Sequence, residues 1–117
     1  MAEHTIKAFD EDIDRLRGLI AEMGGRAEAA IENAMLALQR HDKVLAAEVV
    51  ADDKRIDAIE AEVEKMVVEV IALRAPMAND LRDVVAALKI VSVVERIGDY
   101  AKNIAKREPL VATTTRT

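Results

Sequence analysis

Apolar residues in the first third of the chain recur with a heptad step. One row is Ile6, Ile13, Ile20, Ala27 and Ala34, the other is Phe9, Leu16, Met23, Ala30 and Ala37, and Ile31 and Leu38 widen the stripe. Alternating steps of three and four predict one long helix with a single packing seam. Thr5 is the expected N-cap. Gly24-Gly25 interrupts the row, and two glycines in a helix interior cost about 1 kcal/mol each relative to alanine. A kink or a close helix–helix approach is expected there, with a functional hinge as the alternative. Arg40-His41-Asp42-Lys43 reads as a short connection with Asp42 as the next N-cap. A second helix then runs to Arg74 along the seam Leu45, Val49, Asp52, Ile56, Ile59, Val63, Met66, Val70, Leu73, with an aspartate in one seam position. Pro76 ends it, because the residue before a proline, Ala75, is pushed out of the helical region. A third helix is predicted from about Asn79 to Arg107. Asn79 or a neighbour caps it, Asp80 and Asp83 face its positive end, and Lys102, Lys106 and Arg107 suit its negative end.

Leu81, Val84, Val85, Leu88, Ile90, Val91, Val93, Val94 and Ile97 wrap most of the third helix's circumference. A helix that is apolar on nearly all sides needs partners on more than one side. Another subunit or a second domain is therefore expected to cover part of it. The predicted fold is all-α: an antiparallel, up-down-up three-helix bundle over residues 1–108. Its helices are roughly 30 residues, or 45 Å, long at 1.5 Å per residue. Residues 109–117 lack periodicity and are expected to be a disordered tail or a severed linker.

Composition narrows the class. The chain has 117 residues, 51% of them apolar and 33% charged, which fits a single domain. Phe9 and Tyr100 are the only aromatic residues. That scarcity argues against β-sandwiches and against nucleic-acid modules that stack bases on rings. The absence of cysteine excludes disulfides, thiolate metal sites and cysteine nucleophiles. A net charge of −5 has the wrong sign for a generic phosphate-backbone binder, so no nucleic-acid partner is expected. The N-terminus carries no signal-peptide pattern. The longest apolar stretch, Val84 to Val94, contains Lys89 and is too short to span a bilayer, so a soluble, cytoplasmic protein is expected.

The acidic pattern is the most informative chemistry. Asp53, Asp57, Glu60 and Glu64 step by four, three and four along one face of the second helix, and Glu95 and Asp99 are four apart on the third. Like charges at this spacing repel by a few tenths of a kcal/mol per pair, roughly. Carboxylates so spaced can share a hard cation such as Mg²⁺, Ca²⁺, Mn²⁺ or oxidised iron. The alternative is a solvated face with Lys54, Arg55 and Arg96 as local partners. His4 and His41 have no carboxylate three residues before them, so the Glu-x-x-His repeats of di-iron bundles are absent. Ser92, the only serine, has no nearby histidine and reads as a helix packing residue. Gly24-Gly25 follows no strand and lacks the lysine of a P-loop. The methionines read as core filler. No catalytic constellation is present, and a non-enzymatic role is expected.

Several segments taken in order carry a resemblance. They are Phe9, Met23-Gly24-Gly25, Asp53-Lys54-Arg55-Ile56-Asp57, Arg74 through Arg82, and Glu95-Arg96-Ile97-Gly98-Asp99, followed by Ala101 and Ile104. Over residues 4–108 the chain resembles the PhoU family, bacterial phosphate-transport accessory proteins and negative regulators of phosphate-starvation signalling. The resemblance implies two similar three-helix bundles, of which this chain carries one. It implies E/D-x-x-x-D motifs that bind metal ions in some members, here Asp53 with Asp57 and Glu95 with Asp99, with iron, zinc, magnesium or manganese as the candidate ions. It also implies an adaptor role between a phosphate ABC transporter ATPase and a sensor histidine kinase. Membrane association then comes through protein partners, without direct insertion. A homodimer or higher oligomer would cover the third helix if no second bundle does. A purely structural or oligomerising helical module is the alternative, and it leaves the Arg74–Arg82 and Glu95–Asp99 segments unexplained.

Overall fold

The computed structural model of the chain describes residues 2–108, with side chains from Ile6 onward. Three helices follow one another: α1 (Ala2–Arg40), α2 (Lys43–Arg74) and α3 (Ala78–Lys106). Each packs against both others, giving the antiparallel three-helix bundle that the heptads predict. At 1.5 Å per residue the helices are about 58, 48 and 44 Å long.

Two short turns set the topology. His41 adopts a left-handed backbone (φ 53°) that closes α1. The Asp42 carboxylate then accepts a hydrogen bond from the Leu45 amide at 2.9 Å and caps α2 as expected. At the other end Ala75 is left-handed (φ 44°, ψ 53°) and its amide donates to the Ile71 carbonyl. Pro76 follows, and Met77 is the extended N-cap of α3. That start corrects the expected cap: Met77 makes no side-chain cap hydrogen bond, and Asn79 lies inside the first turn. Asp80 sits in that turn, and Asp83 falls beyond it. Thr5 likewise lies inside α1, which begins at Ala2.

The core has two parts. Leu16, Met23, Ala27, Ile56, Ile59, Val63, Met66, Val67, Val70, Val84, Ala87 and Val91 form a section built mainly of large side chains. Ala30, Ala34, Ala37, Ala46, Val49, Ala101 and Ala105 form an alanine-rich section at the end where α1 turns into α2.

Three expectations are corrected. The helix runs unbroken through Gly24-Gly25, and a Cβ added at either glycine would meet no atom within 4 Å, so no close helix approach occurs there. Asp52 is half-exposed and bonded to Arg26, and Asp53 takes the core position instead. Leu73 is 70% exposed. A straight helix drifts about 20° per heptad from a 3.5-residue repeat, so a row begun at Leu45 has turned away from the core by Leu73.

The outer side of α3 is apolar and open, as its pattern requires. Val85, Ile90, Val93, Ile97 and Tyr100 are all exposed, and Ile90 borders a groove with Ile13 and Ile20 of α1. Among the described residues no helix is long and apolar enough to cross a membrane. The tail expected over residues 109–117 lies outside the described residues.

Candidate functional site

The acidic stripes of α2 and α3 meet where the two core sections join. On α2, Asp53 stands between Val49 of the alanine-rich section and Ile56 of the larger one. It occupies a core-facing position and is 4% exposed. Its neighbour across the interface is Gly98, in the buried row Val84, Val91, Gly98, Ala105 of α3. A Cβ at Gly98 would stand 3.1 Å from Ile56 Cδ1 and 3.3 Å from Asp53 Oδ1. The glycine is therefore what lets α3 close over a buried carboxylate.

A buried carboxylate needs a counter-charge or hydrogen bonds. Lys102, one turn along α3, supplies one. Its Nζ is 3.1 Å from Asp53 Oδ2 and 3.4 Å from Asp99 Oδ1. Both carboxylates hold the ammonium above the usual lysine range, the hydrogen bond to Asp53 contributing most. Asp53 Oδ1 is buried with no hydrogen-bond partner. Because α2 and α3 are antiparallel, the stripe continues outward as crossed pairs. Partial burial raises the Asp57 pKa, and the charges of Asp53 and Asp99 add to it, with Lys102 opposing. Glu95 is raised by partial burial and by Asp57, Asp99 and Asp53, again opposed by Lys102. Glu60 is raised by partial burial and by Glu95, Glu64 and Asp57. The four residues expected from the sequence, Asp53, Asp57, Glu95 and Asp99, thus share one electrostatic seam.

Expected partners of the seam do not reach it. Arg55 bonds Glu22 of α1 at 3.2 Å, within a surface network that includes Arg26 and Asp52. Among the described residues neither Lys54 nor Arg96 pairs with a seam carboxylate. His41 is exposed in its turn, away from the seam. Sequence reasoning missed Lys102 and Gly98. The signal for Gly98 was its place in an α3 row of seven-residue steps. The signal for Lys102 was its spacing of three from Asp99.

The donor set is all carboxylate oxygen, which suits hard cations, and the unpartnered Asp53 oxygen is a free acceptor. Among the described residues no three histidine, cysteine, aspartate or glutamate side chains converge as a ready metal cage. The ammonium of Lys102 stands between two of the carboxylates instead.

Fold and site together define a class: a three-helix bundle with an acidic seam built from paired D/E-x-x-x-D spacings. The PhoU domain family matches residues 20–107, and the chain belongs to that family. It is 56% identical over 108 residues to the phosphate-specific transport system accessory protein PhoU homolog of Zymomonas mobilis subsp. mobilis, an alignment covering 92% of this chain and 46% of the relative. The homolog of that name in Caulobacter vibrioides is 48% identical over 107 residues, with 92% and 46% covered. The PhoU accessory protein of Edwardsiella tarda is 36% identical over 104 residues, with 89% and 43% covered. The chain spans just under half the length of these relatives.

Proposed function

We propose that this chain is an accessory and regulatory domain of phosphate uptake. It acts without catalysis, as a cytoplasmic adaptor between a phosphate ABC transporter ATPase and a sensor histidine kinase, and it restrains phosphate-starvation signalling when phosphate is plentiful. The observation that carries the reading is the family match over 20–107 together with the accessory-protein name its relatives share. The bundle suits this role because it presents long helix faces to partners. Contact with the membrane is indirect, through the partners, and a second copy of the chain covers the open face of α3. The direct test is capture of the purified transporter ATPase and kinase by immobilised chain. Retention of either partner is expected; loss of both overturns the adaptor role.

Cation binding is the second half of the proposal. Asp53, Asp57, Glu95 and Asp99 would hold the ion, and the ion would supply positive charge that relieves the mutual repulsion of the seam. The carboxylate oxygens and the raised pKa values of Asp57 and Glu95 support it. Elemental analysis of purified protein is expected to find iron, zinc, magnesium or manganese, with the content falling in Asp57→Asn and Asp99→Asn. Unchanged content in both variants would leave the seam as solvated surface.

A further inference from the structure

The turn between α2 and α3 is held in a strained shape. Ala75 and Ala78 both have a left-handed backbone (φ 44° and 50°), a region in which an alanine Cβ crowds the following carbonyl. Between them Pro76 has its φ fixed by its ring, and Met77 is extended (φ −128°, ψ 158°). Such conformations persist only where the surrounding structure over-determines them. The shape leaves Met77 78% exposed, and among the described residues no large apolar side chain is more exposed. Met77 shares a groove of about 230 Å³ with Ile6 and Phe9 of α1. Ile6 is 62% exposed, and Phe9 packs partly against the core. The groove is also lined by Asp10, Arg74 and Asp80. Arg74 is already committed, its Nε 3.2 Å from Asp12 Oδ2. Asp10 and Asp80 are exposed, and among the described residues neither makes an ion pair. The groove thus joins an apolar lining to two carboxylates that no side-chain cation answers.

We propose that this groove, with Met77 at its rim, is the surface that grips the transporter ATPase, and that the ATPase inserts one large apolar side chain flanked by lysine or arginine. The inference rests on the adaptor reading above, and of its two partners it takes the one that belongs to the transport system itself. Three observations select an occupant of this chemistry. The volume is below the roughly 300–1,000 Å³ of small-molecule sites and suits a single side chain. The free charges of the lining are both negative, so the complementary flank is positive. A second copy of the chain fits poorly here, because a twofold pairing would set Asp10 and Asp80 against their own counterparts. An apolar patch with a polar rim is the anatomy of an interaction site. A turn already fixed in shape loses little conformational freedom when a partner docks, so the contact energy is kept for affinity. The methionine suits the rim because its unbranched, polarisable side chain adapts to the surface it meets.

The test is biolayer interferometry of the immobilised chain against the purified transporter ATPase and, separately, the purified sensor kinase. The chains are wild type, Met77→Ser, the double variant Asp10→Asn/Asp80→Asn, and Val44→Ser. Val44 is 70% exposed at the far end of α2 and controls for the loss of any exposed apolar side chain. Every substituted position is exposed, so each variant is expected to melt as wild type does. Met77→Ser is expected to weaken ATPase binding by about tenfold or more, a hot-spot loss of about 1.4 kcal/mol or more. Val44→Ser is expected to stay within about twofold of wild type. Wild-type binding should weaken as salt is raised, and the double aspartate variant should bind more weakly with a flatter salt dependence. ATPase binding that is equal in wild type and Met77→Ser, or equally reduced in Met77→Ser and Val44→Ser, overturns the proposal and leaves the adaptor reading standing. A loss confined to the kinase overturns the assignment to the ATPase. A double aspartate variant that binds like wild type overturns the basic flank. Binding of neither partner to wild type overturns the adaptor reading and this docking surface with it.

Discussion

Gly98 and Gly24 are both glycines in helix interiors, yet they serve opposite purposes. At Gly98 an added Cβ would stand 3.1 Å from Ile56 and 3.3 Å from Asp53, two buried side chains, one of them pinned by Lys102. Overpacking of this kind costs about 1–3 kcal/mol, against a gain of about 1 kcal/mol in helix propensity. Gly98→Ala is therefore expected to destabilise the bundle by roughly 1 kcal/mol in urea denaturation. Gly24→Ala and Gly25→Ala meet no atom within 4 Å and are expected to stabilise it by up to about 1 kcal/mol each. The seam yields a second residue-scale prediction, made in the presence of chelator. Burial and the charges of Asp57 and Asp99 raise the folded-state pKa of Glu95. A carboxyl whose pKa is raised on folding destabilises the fold when ionised, at pH above its folded value, and not when protonated. Glu95→Gln is thus expected to raise stability near neutral pH by a few tenths of a kcal/mol, roughly the size of a relieved like-charge pair. The gain should shrink as pH falls through the ordinary carboxylate range and vanish below about pH 4. Thermal melts at a series of pH values check it. The four seam carboxylates were legible from spacing because D-x-x-x-D places both oxygens on one face. Their depth was not: whether Asp52 or Asp53 faces the core turns on one residue of register, and only the packing of α3 at Gly98 decides it.

At the level of elements, the chain's own pattern carries most of the architecture. Long apolar rows with steps of three and four give three helices, and the short turns around Asp42 and Pro76 make neighbours antiparallel. What the pattern leaves open is the ends. An N-cap needs an acceptor side chain or merely an extended residue, and at α3 the backbone of Met77 serves, so the better-looking Asn79 is taken into the helix. The seam of α2 also drifts, and a row read as a strict heptad points Leu73 at solvent. At α2's start, by contrast, side chain and backbone agree. Asp42 accepts from the Leu45 amide at 2.9 Å, satisfying one of the helix's unpaired first donors. Asp42→Ala is expected to cost about 1 kcal/mol in chemical denaturation, and Asp42→Ser to restore most of it. An unchanged midpoint in Asp42→Ala would mean that the left-handed turn at His41 alone fixes this junction.

For the whole molecule, the deciding feature is the uneven distribution of apolar surface. The inward faces of all three helices are spent on one core, and α3 still shows Val85, Ile90, Val93, Ile97 and Tyr100 to solvent. Apolar area of that kind on a helix face marks an interaction surface. Its neighbours on the α1 side, Ile13 and Ile20, extend it into a shallow groove. The proposed occupant of this face is a second copy of the chain, whose twofold pairing would need only one self-complementary patch. Sedimentation of the purified chain is expected to show dimers at high protein concentration. Val93→Glu, placed at the middle of the face, would seat two carboxylates against each other across the twofold pairing and is expected to give monomers. Because Val93 is already 53% exposed, its own helical packing changes little, and substitutions at such positions stay within about 0.5 kcal/mol of the parent. The monomeric variant should therefore melt as a folded bundle. Its metal content should equal the parent's, since the seam between α2 and α3 lies on a different side of α3. A wild-type chain that stays monomeric at every concentration, with Val93→Glu indistinguishable from it, would remove the second copy as the occupant of this face.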